Sequence, residues 1–409
     1  MKVLTVGGAM MDTIAVVESK RIERLTLHHA DSSFLLLEEG RKTEAEDVST
    51  HPGGGAVNAA VAMARLGLDV AVLAKVGKDS RAAAILARLA QEGVSDRWIV
   101  RDEHAPTGAS VLLSSHERNA AVFTFRGANT HLEVQDLRDE AFAVDVVYIA
   151  NLSNQSADCF PTIVSRACAH RALVAANPGP RQLSARGQAF LESISAIDIL
   201  VLNREEADLL VPSLASRSAE VGPILAIAPG EEMPALVARG LAGGGFEMAI
   251  APYIRALTRL GPKYVVITDG ARGACVGSTE EILFVPALTA KVASTAGAGD
   301  AFAATFVAFA ALGRPIDESL RAATANSASV VGYIDTQTGL LHRNELDQRL
   351  AAIEHAFTHF DLRLNPIRVR CTPALGVSEG GRLWYQLDAP PKVGLPQPIR
   401  QLFDRLSSS

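Results

Sequence analysis

Residues Ser294-Thr295-Ala296-Gly297-Ala298-Gly299-Asp300 hold the two ingredients that phosphoryl transfer to a hydroxyl requires. Small residues let the backbone pass close to a ligand. The apolar run Ala301 to Leu312, ended by Gly313 and Pro315, predicts a buried helix that starts at this turn. N–H groups at a helix start lack intrahelical partners and carry the positive end of the dipole, so they attract an anion. Asp300 in the first turn offers a carboxylate that can take a proton from an attacking alcohol. The N–H groups of Gly297, Ala298 and Gly299 can hold the charge that develops on the moving group. A plain helix start capped by an aspartate would carry the same residues. A second small-residue stretch lies far upstream, His51-Pro52-Gly53-Gly54-Gly55-Ala56-Val57-Asn58-Ala59-Ala60.

The elements that must position these residues follow from hydrophobic patterning. Val3-Leu4-Thr5-Val6 is a buried-strand run that breaks at Gly7-Gly8 and leads to Asp12, placed to meet a ligand at the strand's C-terminal end or to serve as a turn aspartate. Helices over Val57–Leu66 and Ser80–Gln91 alternate with strands over Val70–Val76, Val144–Ala150, Leu173–Ala176, Ile197–Leu202 and Tyr264–Thr268. Helices over Ile316–Gly332 and Arg343–His359 close the pattern, which predicts a mostly parallel sheet. Thr13–Val17, Phe34–Leu37, Ala109–Leu113 and Ala120–Phe125 form another set of strands, predicted to make a small separate sheet inserted into the α/β body. Asn203-Arg204-Glu205-Glu206 opens a helix with Asn and Glu three apart, on one face. Those types suit a hard cation, and equally a capped, charged first turn.

The Gly-Gly stretch followed by Asn58, together with Gly-Ala-Gly-Asp, resembles the signature pair of the PfkB (ribokinase-like) carbohydrate kinase family, in the right order and spacing from about Lys2 to Leu350. The resemblance implies a ribokinase-like three-layer α/β/α fold with a mostly parallel central sheet and a small β-sheet lid. That domain would span residues 1–359, with lid strands in about 13–50 and 105–127, an extra excursion at about 211–245, and a C-terminal extension of unknown role at 360–409. It further implies ATP and Mg²⁺ as cofactors and a hydroxymethyl group as acceptor, with Asp300 as base. Asp12, Gly53, Gly54 and Asn58 would bind the acceptor, and Asn203 and Glu206 would organise Mg²⁺, through water, and the phosphates. Asn177-Pro178 resembles the family's turn near the phosphate site. Thr268-Asp269-Gly270-Ala271-Arg272-Gly273 resembles the family's nucleotide loop, so Thr268, Gly270 and Gly273 would approach ATP, and Asn326 falls where the family lines the adenine pocket. The lid would close over substrate, excluding water, and mediate a homodimer. Two positions depart from the pattern. Ser294 stands where members stimulated by a monovalent cation carry Asp, which predicts weak or absent K⁺ stimulation. Gly55 stands where one common pattern has a Lys that reaches substrate.

Composition excludes other classes. At 409 residues, 48% hydrophobic and 21% charged, the chain is not disordered, and scarce aromatics (5%) suit parallel strands covered by helices. A net charge of −6 with scattered basic residues gives no sign of a nucleic-acid or membrane partner, and no apolar run is long enough to span a bilayer. Cys159, Cys168, Cys275 and Cys371 have no metal or redox spacing, and the N-terminus becomes a strand rather than a signal peptide, so a cytoplasmic protein is expected. Gly376-Val377-Ser378-Glu379-Gly380 matches a nucleophile elbow by accident, since a strand over Arg382–Leu387 and no histidine follow it. His355 and His359 are predicted to share a solvated helix face, without the Glu of a zinc-protease motif. Within enzymes the rival is a nucleoside kinase of the same family, which stacking aromatics such as Phe34, Phe123 or Phe125 would favour. Outside enzymes it is a non-catalytic sugar or nucleotide sensor, although a sensor has no chemical need of Asp300.

Overall fold

The computed structural model describes residues 1–17, 23–26, 33–36, 40, 42–115, 118–215, 224–225, 233–350, 354–357 and 360–363. Its centre is a nine-stranded sheet in the order Ile224–Leu225, Glu281–Val285, Ala274–Gly277, Tyr264–Thr268, Ile199–Asn203, Leu173–Ala176, Val146–Ile149, Lys2–Val6, Asp69–Leu73. From Tyr264–Thr268 to Asp69–Leu73 every pairing is parallel, and antiparallel pairing appears only around Ala274–Gly277. The strands are near-continuous aliphatic runs because helices cover them. Val147 faces Val174 across one pairing and Leu200 faces Val265 across another, all four without solvent exposure. Parallel pairing brings the C-terminal ends of five strands to one edge, so Gly7, Asn151, Asn177, Asn203 and Thr268 gather there.

The small sheet exists, but its membership differs from the expectation. Its order is Arg118–Phe125, Gly108–Ser115, Met10–Val17, Asp47–Gly53. Ser33–Leu36 instead pairs with Glu23–Thr26 in a two-stranded hairpin. The fourth place belongs to Asp47–Gly53, which Pro52 and Gly53 disguise as a loop in the sequence. Asp12 therefore sits inside a strand, opposite His51 on one side and Ser110 on the other, rather than in a turn.

Elsewhere the helix over Ser80–Gln91 forms as expected, capped by Asp79, which accepts from the Ala82 N–H at 2.9 Å. The strand expected over Val70–Val76 breaks at Ala74 into Asp69–Leu73 and Lys75–Val76. The helix Arg204–Ala215 contains Glu206 in its first turn, and the first residues of the expected excursion belong to it. Described residues further on form an edge strand, a short helix Ala235–Arg239 and the hairpin Leu241–Gly243/Phe246–Met248. The last helix ends at Leu350 rather than His359, and Glu354–Phe357, which contains His355, pairs with Phe360–Arg363. Only Leu346 of that helix is buried, a weak anchor that strand pairing overrides beyond it. His28, His29, Leu37, Cys371 and the segment holding the elbow-like match lie outside the described residues. Among the described residues no helix is long and apolar enough to cross a membrane.

Candidate active site

The helix predicted after Asp300 runs from Ala298 to Ala311, buried from Ala301 to Phe309, with Gly297 as N-cap at φ 77°. No Cβ fits at Gly297, since one would lie 2.6 Å from Thr336 Cβ and 2.9 Å from Thr336 Cα. The Ala298 N–H reaches the Thr295 carbonyl at 3.4 Å, whereas no acceptor among the described residues bonds the N–H groups of Gly297 or Gly299. The helix packs on Gly55–Arg65, which begins in the Gly-Gly stretch. There the N-cap Gly54 takes φ 98°, and an added Cβ would lie 2.6 Å from the Gly8 carbonyl oxygen. A Cβ at Gly53 would fall 2.2 Å from an Asp12 oxygen. The glycines thus press the stretch against Asp12 and the first strand's turn.

Helix packing brings Asn58 to Asp300, and its Nδ2 donates to Asp300 Oδ2 at 2.8 Å. Asn58 Oδ1 accepts from Thr336 Oγ1 at 2.9 Å and from Gln337 Nε2 at 3.1 Å, so this buried amide is held rigidly beside the carboxyl it orients. Asp12, also buried, accepts from the Ser110 hydroxyl on the neighbouring strand. Asn129 pins the Gly7-Gly8-Ala9 turn, its Oδ1 accepting from Ala9 N–H at 2.9 Å and its Nδ2 donating to the Ala9 carbonyl at 2.8 Å.

Two cavities meet at Asp300. One, about 250 Å³, is lined by Asp12, Gly54, Asn58, Ser110, Arg126 and Asp300, among others. The second, about 190 Å³, is lined by Asn177, Asn203, Glu206, Thr268, Gly299 and Asp300, among others. Asn151, Gly297 and Asp300 belong to both. Around the second cavity Asn203 Oδ1 accepts from the Glu206 N–H and Glu206 Oε2 from the Asn203 N–H, each at 2.9 Å. This is the capped first turn that the sequence also allowed, and the capping carboxyl lines the cavity as well. Asn177 is fixed through its Nδ2, which donates to the Val201 carbonyl at 3.0 Å.

Electrostatics mark the junction. Burial raises the Asp300 carboxyl above its ordinary value, and the Asn58 hydrogen bond opposes that rise. Asp12 is raised, chiefly by burial and further by the charge of Asp300, against the Ser110 bond and His51. Burial, with Asp300 and Glu205 adding, pushes Glu206 up to about 7, against the bonds from Asn203. Mutually repelling buried carboxyls are the arrangement that a bound cation relieves. Oxygen donors from Glu206 and Asn203 fit a hard divalent ion. Among the described residues no group of three or more His, Cys, Asp or Glu could hold a metal by itself, so such an ion would need oxygens from a bound phosphate or water.

Not every expected residue converges. Gly270, at φ 54°, and Gly273, at φ 97°, shape the turn after Tyr264–Thr268, which Asp269 clamps by accepting from Arg272 at 2.7 and 2.8 Å; neither glycine lines the two cavities. Asn326 is fully buried, donating to Thr305 Oγ1 at 2.7 Å and accepting from Leu341 N–H at 2.9 Å, so it ties helix to helix and lines neither of the two cavities. Sequence reasoning missed Ser110, Thr336, Gln337, Asn129 and Arg126, which belong to no small-residue motif. Asp335-Thr336-Gln337-Thr338-Gly339 was the one available signal, a polar turn in which Asp335 accepts from the Gln337 and Thr338 N–H groups at 2.8 Å.

The profile of the pfkB family of carbohydrate kinases matches residues 2–343, and the chain belongs to that family. It is an ATP-dependent carbohydrate kinase, a phosphotransferase with an alcohol acceptor. It is 26% identical over 307 residues to the ribokinase of Bacillus subtilis, a match covering 74% of this chain and 88% of that one. The structure of Arabidopsis thaliana ribokinase complexed with ribose and ATP superposes with a TM-score of 0.63 at 20% identity, covering 85% of this chain and 98% of that one. Adenosine kinase from Sinorhizobium meliloti gives 0.65 at 21% identity, covering 86% and 99%. The fold is therefore ribokinase-like: a large, mostly parallel sheet with helices and a smaller sheet.

Proposed function

We propose that the enzyme phosphorylates a hydroxymethyl group of a sugar or sugar-like acceptor, with Asp300 as general base. The observation that carries this is the meeting of two cavities at Asp300, Gly297 and Asn151. The acceptor lies in the first cavity, against Asp12, Gly53, Gly54 and Asn58, and the ATP phosphates lie in the second. Asp300, oriented by Asn58, takes the acceptor's proton as its oxygen attacks. The N–H groups of Gly297, Ala298 and Gly299 hold the transferring group, with Ala298 giving up its long bond to Thr295. Glu206 and Asn203, with Thr268 nearby, would hold Mg²⁺, which neutralises phosphate charge when bound. Gly270 and Gly273 would approach the nucleotide outside the two cavities.

A sugar fits better than a nucleoside. The first cavity, at about 250 Å³, falls below the roughly 300–1,000 Å³ of sites for drug-sized ligands. Its described lining carries charged groups, hydroxyls, amides and aliphatic carbons but no aromatic ring, while Phe123 and Phe125 project from the other face of the small sheet, 60% and 53% exposed. That sheet acts as a lid whose inner face carries Asp12, Ser110, Leu112 and Thr124. Its outer face, where Val111 pairs with Phe123 and Val48 is also exposed, is an apolar patch that a homodimer would bury. Free Cys159, Cys168 and Cys275 suit a reducing cytoplasm. The test is ADP release from Mg-ATP across pentoses, hexoses, sugar acids and nucleosides. Nucleoside-only turnover would replace the sugar reading, and light scattering of wild type against Phe123→Ser checks the dimer.

A further inference from the structure

The acceptor cavity contains a charge that the phosphoryl-transfer machinery does not use. Arg126 lines it, half-buried, as the residue that opens the short helical turn Gly127–Thr130. Its backbone is fixed, since its carbonyl accepts from the Asn129 N–H at 3.2 Å and Asn129 is itself pinned to Ala9. No carboxylate among the described residues pairs with the guanidinium, although Asp12 and Asp300 line the same cavity. The charge that acts on it is that of Arg181, a second arginine with no carboxylate partner among the described residues, in the first turn of the helix Pro180–Ser193. Burial and Arg181 both push the guanidinium below its ordinary value. A charge partly withdrawn from water and acted on by another of the same sign opposes folding unless a ligand compensates.

We infer that the acceptor carries an anionic substituent, a carboxylate or a phosphate, and that Arg126 binds it. The planar guanidinium matches either group with paired hydrogen bonds. Two carboxylates and one guanidinium lining one cavity leave a single place there for a negative group, so Arg126 also selects which hydroxyl of the acceptor meets Asp300. Arg181 adds field rather than contact. The inference rests on reading that cavity as the acceptor site.

The test compares neutral sugars, sugar acids and sugar phosphates as acceptors for wild type, Arg126→Gln and Arg126→Lys, with calorimetry of the same compounds binding to the full chain. Turnover of an anionic acceptor in wild type, with KM raised roughly 10- to 100-fold in Arg126→Gln and partly restored in Arg126→Lys, supports the inference; that range is the worth of a charge-assisted hydrogen bond. Whether sugar acids or sugar phosphates respond identifies the anion. Turnover confined to neutral sugars, or anionic acceptors with equal KM in both variants, overturns the inference and leaves the kinase reading intact. If no acceptor is turned over, the kinase reading has failed separately and calorimetry decides. Binding of an anionic sugar that Arg126→Gln loses and Arg126→Lys keeps supports the subsite, and equal or absent binding overturns it.

Discussion

Replacing Asn58 by Ala tests whether its amide tunes Asp300 as the proposed base. In the native site the Asn58 amide donates to Asp300 at 2.8 Å and lowers a carboxyl that burial raises. Without it the ionised form of Asp300 loses a charge-assisted hydrogen bond, about 1.5–3 kcal/mol. At neutral pH that is an expected fall in kcat/KM of roughly 10- to 100-fold. The sign is set by ionisation. On the proposed reading Asp300 acts deprotonated and the substitution raises its pKa, so the acid limb of the kcat/KM profile should move to higher pH and part of the loss should be recovered in alkaline buffer. The same change strips acceptors from Thr336 Oγ1 and Gln337 Nε2, and unfolding should show a cost of about 1–3 kcal/mol. Rates across pH 5–10 with saturating Mg-ATP provide the assay. A limb that stays put or moves down, with kcat/KM within twofold of wild type, would refute the link between Asn58 and the base.

Other outcomes follow from the same geometry. Gly297→Ala puts a Cβ into left-handed backbone against Thr336, so a stability loss of about 1–2 kcal/mol or more is expected in thermal unfolding. Gly299→Ala meets no atom within 4 Å and should leave Tm essentially unchanged. Glu206 is held at about 7 in the fold against an ordinary 4.5. The folded protein therefore keeps that proton longer than the unfolded chain, and metal-free stability should fall as pH rises through that interval. Glu206→Gln should flatten this slope in denaturant titrations at successive pH values. Ser294, whose hydroxyl accepts from the Ala296 N–H at 3.2 Å, is a neutral ligand, so exchanging Na⁺ for K⁺ should barely change the rate; a steep K⁺ dependence would contradict this.

How much of this was legible in the sequence depended on whether the information was local. The Gly-Ala-Gly-Asp helix start, the strand Tyr264–Thr268 and the Asn203–Glu206 cap could be read because spacing and residue type carry them. The bond between Asn58 and Asp300, 242 positions apart, comes from helix packing that no local pattern encodes. Thr336 and Gln337 reach the site from a turn whose polar residues look like ordinary loop chemistry. The membership of the small sheet is hidden in the sequence because Asp47–Gly53 carries Pro52 and Gly53, while Phe34 sits in an apolar run with the pattern of a lid strand. The final helix is shorter than its pattern suggests because Glu354–Phe357 pairs with a strand that follows it.

Everything proposed for the site turns on whether Asp300 removes the acceptor's proton. The direct measurement is acceptor-dependent ADP formation by Asp300→Asn beside wild type, with ATP binding followed by calorimetry. The expected result is ATP affinity close to wild type with turnover lowered by about 10²–10⁴-fold or more. Turnover within a few-fold of wild type in a variant that binds ATP normally would contradict it.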